Sequence, residues 1–568
     1  MISPSQIKFI YLLYALFIFP WTSYATDPGG KAAHAKKSLE DFSEIITTDL
    51  LRNHLSILAS DEMEGRNTGS AGIEKAARYL ADEYARLGLV APGESGSYFQ
   101  TVPFMGTKIL SLDFRLFQGI GDTKKPYQLQ GALGDINKMF TRMQGGKGLI
   151  DGEIIFGGFG ATDSVYGVEP FKGMDLTGKW VLIFQDLPKV VDGDTLLGVR
   201  VNAQSRLLDL IIRREATGVI LVDSEPTLPF EIYVEAFRKQ IETPSNIRFA
   251  DRPAPNTLAG AYLRIHPELA AELLKVNGLA GLNELKSEIQ RSMRTWRAQS
   301  LDVSLMMNID EQQVEVPSKN VLAFLEGEDP VLKNEIVVLS SHYDHVGISL
   351  PDVNGDYINN GADDDGSGTI GVLAVATALS EAAKQGLRPK RSVLFLNVTA
   401  EEKGLLGSRY YSDNPVFPIE NHIANINMDM IGRDATEHQE KGIKDGLFII
   451  GASLISSSLD SLLQVSNQST HKLYLDMSLN NVRDPQQIYR RSDHWNFGRL
   501  GIPFVFYFTG LHEDYHRPSD EADKVNYDKM AKITQLIYRN TVEIANYNKR
   551  PMVDNEEFIQ ATRQAPRN

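Results

Sequence analysis

Three consecutive carboxylates, Asp363-Asp364-Asp365, sit between Gly361-Ala362 and Gly366-Ser367-Gly368. Adjacent anions repel one another, so a fold tolerates them cheaply only in water or around bound cations. Alone, the run reads as a wet surface loop. Four other clusters shift that reading: His342-Tyr343-Asp344 upstream, Glu401-Glu402 and Asp429 downstream, and Tyr515-His516-Arg517-Pro518 beyond them. Each lies at or just after an apolar run that reads as a buried strand. Together they look like the hard nitrogen and oxygen donor set of a two-metal hydrolase.

His342 and Asp344 stand two residues apart at a strand end, so their side chains leave on one face. One can hold a metal while the other orients the imidazole. His345, the next histidine along, reads as pocket wall or outer support rather than as a ligand. Glu401 and Glu402 are neighbours, and neighbours on an extended segment point different ways. That suits a division of labour, with one carboxylate on a metal and the other handling the proton of an activated water. Asp363 and Asp365 read as loop-shaping, and His512 as surface or rim.

These residues need elements to bring them together. The pattern predicts strands over 320–325, 335–340, 392–398, 423–428, 447–450 and 502–508, with helices over 368–383, 407–412, 454–465 and 527–547. Such alternation argues for an α/β fold with a mostly parallel mixed sheet covered by helices on both faces. Ligands of such sheets bind beyond the carboxyl ends of the strands. His342, Asp344, Glu401, Glu402, Asp429 and His516 all fall there. Upstream, 46–89 reads as largely helical, and 98–105 and 109–117 as strands. From about 135 the texture changes to short strands at 153–156, 180–184 and 219–222 around a helix near 205–216. This stretch, 135–300, reads as an inserted small β-rich α+β domain that resembles the protease-associated domain. The expected organisation is a leader over 1–25, an N-terminal part over 26–134, the insert over 135–300, and the main part over 301–568.

At 568 residues the chain is too long for one core. Its 42% hydrophobic and 23% charged content is ordinary for a globular protein. A formal charge of -15 argues against nucleic acid as a partner. Lys8, an apolar block over 9–19 and Ser23-Tyr24-Ala25 follow the order of a secretory signal peptide, so a periplasmic or secreted location is expected. The block is shorter than the ~20 apolar residues a span needs, and no stable membrane span is expected after its removal. The absence of cysteine removes any disulfide framework and any thiolate metal site.

The clusters His342-Tyr-Asp344, Gly361-Ala-Asp-Asp364-Asp-Gly-Ser-Gly368, Thr399-Ala-Glu401-Glu402-Lys-Gly-Leu-Leu-Gly-Ser408, Asn427-Met-Asp429-Met-Ile-Gly432 and Tyr515-His516-Arg-Pro518 follow one another as in a known family. They resemble the co-catalytic di-zinc exopeptidases, the bacterial leucyl-aminopeptidase-like enzymes related to glutamate carboxypeptidases. The segment 58–66, with Gly69, resembles that family's N-terminal region and belongs to no metal site. The resemblance implies the zinc exopeptidase fold and two Zn²⁺ per chain bridged by Asp364. His342 and Asp429 would complete one site, and Glu402 and His516 the other. Glu401 would be the general acid/base, with Asp344 supporting catalysis beside it. Arg490-Arg491-Ser492-Asp493-His494 resembles a substrate-proximal segment, and it reads equally well as a polar loop capped by Ser492 or Asp493. Arg491, Asp493 and Tyr515 are the candidate substrate contacts.

The implied activity is hydrolysis of N-terminal residues from peptide substrates by a metal-bridging hydroxide. A zinc carboxypeptidase of the glutamate-carboxypeptidase type would use the same metals with a cationic clamp, for which Arg490 and Arg491 are available. A glutaminyl cyclase would work with a single zinc, and a non-enzymatic receptor on this scaffold would have lost ligands. The insert is expected to cover the strand-end cleft.

Overall fold

The computed structural model describes residues 37–129, 135–188, 202–254 and 260–563. The expected leader over 1–25 lies outside these described residues. The catalytic-type half of the chain is built on an eight-stranded sheet. Its order is Phe99–Thr101, Lys319–Leu325, Ser392–Val398, Ile336–His342, His422–Met428, Phe504–Phe508, Gly446–Gly451 and Tyr474–Asp476. The four middle strands, from Ser392–Val398 to Phe504–Phe508, run parallel, and antiparallel pairs flank them. All residues of these four strands are buried. Burial on both faces explains why they read as continuous apolar runs rather than alternating ones.

One face is covered by the helices Ala71–Leu87, Gly368–Lys384 and Tyr527–Asn546. Their Leu80, Leu373 and Ile537 share a core with Val337, Leu339, Phe395, Ile426 and Val505 of the strands. On the other face, Tyr411 of Leu406–Asp413 and Phe497 of His494–Gly498 pack on Val338, Leu394 and Leu396. Ala71–Leu87 begins where the Ser70 hydroxyl accepts from the Ile73 amide, and it stops at Gly88 in the left-handed region. Helix Gly368–Lys384 is apolar nearly all round. With the turn before it, it is long and apolar enough to cross a membrane, contrary to the expectation that nothing after the leader would be. Its burial between sheet and outer helices accounts for that composition.

A second, nine-stranded sheet orders Lys125–Pro126, Phe104–Gln118, Gln299–Val316, Gly148–Phe156, Trp180–Phe184, Gly218–Val222, Ala261–Ile265 and Phe140–Gln144, with Ser245–Phe249 also pairing on Phe104–Gln118. Its strands therefore span 104–316, wider than the 135–300 expected for the insert. The reason is a long antiparallel ribbon, Phe104–Gln118 against Gln299–Val316, running from Phe104↔Val316 to Gln118↔Val303. The middle of the second strand, Asp310-Glu311-Gln312-Gln313, is polar on a half-exposed surface and hides the strand from pattern reading. Trp180 is fully buried and donates its indole N–H to the Leu305 carbonyl, tying the ribbon to the parallel strands.

Two elements of 104–316 touch the main sheet's loops. Helix Phe230–Glu242 packs against Gly347–Ile348, and Glu235 accepts from the Tyr357 hydroxyl. Ile247 and Phe249 of Ser245–Phe249 pack in a small core with Ala400, Leu406 and Tyr410.

Candidate metal centre

His342 is the last residue of its strand, two beyond the expected end. The Asp triad forms the turn Ala362–Ser367 leading into the helix Gly368–Lys384, Glu401-Glu402 follows Ser392–Val398, and Asp429 follows His422–Met428. All open at the carboxyl edge of the parallel strands. His516 arrives from the loop after Phe504–Phe508, with its backbone in the left-handed region.

Two groups of possible donors result, and Asp364 belongs to both. One is His342, Asp364 and Asp429; the other is His345, Asp364, Glu402 and His516. In each group one donor atom per residue lies within 4.8 Å of all the others. In the first, His342 Nε2 stands 3.3 Å from Asp364 Oδ1 and 3.7 Å from Asp429 Oδ2. In the second, His516 Nε2 is 3.0 Å from Asp364 Oδ2 and 3.1 Å from Glu402 Oε1. His345 Nδ1 lies 3.1 Å from that same Glu402 oxygen. His345, expected as pocket wall or outer support, thus stands with the possible donors of this group.

A divalent cation fits these residues. Asp364 Oδ2, Glu402 Oε1, His516 Nε2 and both ring nitrogens of His345 are buried without a hydrogen-bond partner. Buried polar atoms rarely stay unpaired unless an ion or water takes them up. The donors are imidazole and carboxylate throughout, which suits zinc and other borderline or hard divalent ions.

Charges in the cluster pull its two glutamates apart. Burial pushes Glu401 well above the usual carboxylate range; His342 opposes this, and the negative charges of Glu402, Asp493 and Asp429 add to it. Burial and Asp364 also push Glu402 upward, but the facing imidazoles of His345 and His516 outweigh them and hold it at about 2. Glu401 Oε2 stands 3.9 Å from His342 Nε2, beside the donors.

The supporting contacts are less visible in sequence. Asp365 accepts backbone N–H groups from His342, Gly368 and Met430, locking the acidic turn to the His342 and Asp429 strands. Asp363 accepts from the Gly432 amide and the Ser367 hydroxyl. Both therefore shape the loop. His512, read as rim, instead turns inward, its Nε2 3.3 Å from Asp363. Asp344 accepts from the amides of Glu401 and Glu402 and from the Thr68 hydroxyl. The His342 ring Nδ1 meets the Asp344 carbonyl at 3.1 Å, while the Asp344 carboxylate stays 3.8 Å away.

Two residues were not singled out from sequence. Asp520 accepts from the amides of Asp363 and Asp364, continuing the His516-Arg517-Pro518 motif by one short turn. Arg66 is fully buried and donates to the carbonyls of Leu58, Tyr343, Asn360 and Gly361. It clamps the loops that carry His342 and the Asp triad, although its segment holds no metal donor. Burial lowers its guanidinium to about 10, so it stays charged near neutrality.

The cavity over the donors is lined by His342, Asp364, Glu401, Glu402, Asp429 and Tyr515, with an apolar side formed by Met430, Ile488, Phe506, Phe508 and Leu511. Arg491 stands exposed on its rim, with no partner for its guanidinium among the described residues. Arg490 instead stacks on Tyr489 and Trp495. Asp493 is buried and does not line the cavity; burial raises it to about 7 and its carboxyl oxygens lack partners. His494 is packed between Phe504 and Phe506. No described residue of 104–316 lines the cavity, so the cover expected from the insert is not seen among the described residues.

A mixed, centrally parallel α/β sheet with paired cation donors at its carboxyl edge is the class this half of the chain defines. Residues 320–541 match Peptidase family M28. Among curated proteins, a probable leucine aminopeptidase 2 of Aspergillus oryzae is 34% identical over 216 residues, 38% of this chain and 38% of that one. Leucine aminopeptidase 1 of Ajellomyces dermatitidis is 26% identical over 302 residues, 49% of this chain and 73% of its own. The chain spans well under two thirds of the length of the Aspergillus relative. Among solved structures, BSAP, a zinc aminopeptidase from Bacillus subtilis, aligns over 90% of this chain and 96% of its own, with a TM-score of 0.51 at 15% identity, a likeness of fold.

Proposed function

We propose that this protein is a di-zinc aminopeptidase that removes N-terminal residues from peptides. The observation that carries the reading is the pair of donor groups sharing Asp364 with Glu401 alongside; the names of the relatives support the reaction and the metal. His342 and Asp429 would hold one ion, Glu402 and His516 the other, and Asp364 both. Bound there, the ions would supply Lewis acidity toward the scissile carbonyl and toward the attacking water.

The chain's own groups do the rest. Glu401 takes a proton from the attacking water at its carboxylate oxygen, becoming the carboxylic acid that its burial favours, and then gives that proton to the leaving amine. Asp344 fixes the peptide amides of both glutamates and so keeps the Glu401 carboxyl aimed at the donors. Met430, Ile488, Phe506, Phe508 and Leu511 receive an apolar side chain of the substrate and exclude water around it. Tyr515, stacked on His516, forms the rim. The basic, apolar, then small-residue order of 8–25 supports export to the periplasm or medium.

A second reading rests on Arg491, whose free guanidinium on the rim suits a substrate's terminal carboxylate, as a carboxypeptidase requires. One assay separates them. Amino-acid p-nitroanilides and N-blocked peptides are offered side by side, with and without chelator. Chelator-sensitive release from free N-termini, led by apolar residues, is the expected result. Cleavage of blocked peptides at their C-termini overturns the aminopeptidase assignment.

A further inference from the structure

We propose that His345 is a fourth protein ligand of the ion held by Asp364, Glu402 and His516, which makes the two metal positions unequal. This rests on the di-metal reading above. His345 is wholly buried, and neither ring nitrogen has a hydrogen-bond partner. Its Nδ1 lies beside the same two oxygens as His516 Nε2, 3.1 Å from Glu402 Oε1 and 3.7 Å from Asp364 Oδ2. Four donors around an ion at 2.0–2.2 Å stand roughly 3.3–3.6 Å from one another in a tetrahedron. The spacings 3.0, 3.1, 3.1 and 3.7 Å around this position bracket that edge.

The ring is also seated. Gly361 lies against it so closely that a Cβ there would come within 2.5 Å of His345 Cγ and Cδ2. The His345 amide donates to the Arg66 carbonyl, so the backbone is fixed on the other side. An imidazole held rigid beside two carboxylate oxygens is a ligand already in place.

The consequence is asymmetry. The second position, at His345, Asp364, Glu402 and His516, would offer its ion four protein donors, two of them imidazole. Position one has His342, Asp364 and Asp429, three donors, and keeps a coordination position free. Closed four-donor sites are the pattern of firmly held zinc, and three-donor sites that of zinc open to exchange with solvent or substrate.

The test is calorimetric titration of the metal-free full-length protein with Zn²⁺, repeated with Co²⁺ followed by visible absorption, for wild type, His345→Ala and His345→Gln. Wild type should bind two ions in two resolved steps. Losing an outer hydrogen-bond partner of a ligand weakens binding about 10–100-fold; losing His345 should weaken the tighter step by more than about 100-fold and leave the weaker step within a few-fold. Imidazole added to His345→Ala should restore the cobalt spectrum. Circular dichroism of the metal-free variants checks that they fold, and His345→Gln covers the case in which the alanine variant does not. An unchanged tighter step, or equal weakening of both steps, overturns the proposal. Wild type binding no metal, or only one ion, would instead overturn the di-metal reading beneath it.

Discussion

Glu401 and Glu402 share a peptide bond, yet their surroundings drive their carboxyls in opposite directions, one toward the acid and the other toward the anion. Replacing Glu401 with Gln removes a proton carrier but no donor. Turnover should fall by about 10²–10⁴ with two ions still bound, as metal analysis beside steady-state kinetics will show. Glu402→Gln should shed metal instead, and the reverse pattern would exchange the two roles. Arg66 sets a different kind of test. In Arg66→Met, four buried carbonyls lose their donor, which should cost about 3 kcal/mol or more in urea unfolding and weaken metal retention, although Arg66 touches no donor side chain. His342, Asp364, Glu402, Asp429 and His516 could be singled out because histidines and acids in motifs that follow buried apolar runs stand out from their surroundings, and the fold does bring them together. Arg66 and Asp520 were not, because they act on backbone carbonyls and amides, which any sequence supplies everywhere. The place of the His345 ring could not be read, because spacing along a chain does not say which way a ring turns once the strand has ended.

At the level of elements, the helix Gly368–Lys384 starts directly on the acidic turn, and its first residue is a constraint. A Cβ on Gly368 would lie 2.3 Å from Asp365 Oδ1 and 2.4 Å from the Met428 carbonyl. Helix propensity alone says that alanine should stabilise this position by about 1 kcal/mol. Contact with rigid backbone says the opposite. We expect Gly368→Ala to be destabilising and to loosen metal binding, since both the acidic turn and the Asp429 strand must shift; a higher melting temperature would show that the turn yields. The strand and helix positions of the main sheet could be read because full burial on both faces writes long apolar runs bounded by glycine and charge. Ser392–Val398 matches its expected bounds. Helices Phe230–Glu242 and Gly278–Arg291 were missed, the first lying between short strands and the second opening on Gly278 and Gly281 within a polar sequence.

For the whole molecule, two buried histidines work against the fold in acid, while Asp493 and Glu521, both raised to about 7 by burial, work for it. Burial holds His494 at about 3 and His422 at about 4, both below the 6.5 of a free imidazole. Below pH 6.5 these two rings take up protons in the unfolded chain that they refuse in the folded one, so their contribution to stability falls as pH drops through this window. Each should remove about 2 kcal/mol between pH 6.5 and 5. The contribution of His494 is read as a difference: between these two pH values the urea midpoint of His494→Gln should shift less toward instability than that of wild type, and identical shifts would mean that the ring titrates normally. The larger architectural fact is the ribbon that joins the two sheets. Thr101 and Lys319, which bracket it, are themselves paired in antiparallel register, and the Val102 amide donates to the Ser318 carbonyl. The two ends of a segment of more than two hundred residues thus already meet as the two arms of a hairpin. In engineering terms the segment is a cassette: an Asn-Gly turn joining Thr101 to Lys319 would excise it without a linker. Because helix Phe230–Glu242 and strand Ser245–Phe249 leave with it, the trimmed protein should keep its sheet yet hold its metals about 10-fold less tightly. The same splice point is where a foreign domain could be set in its place.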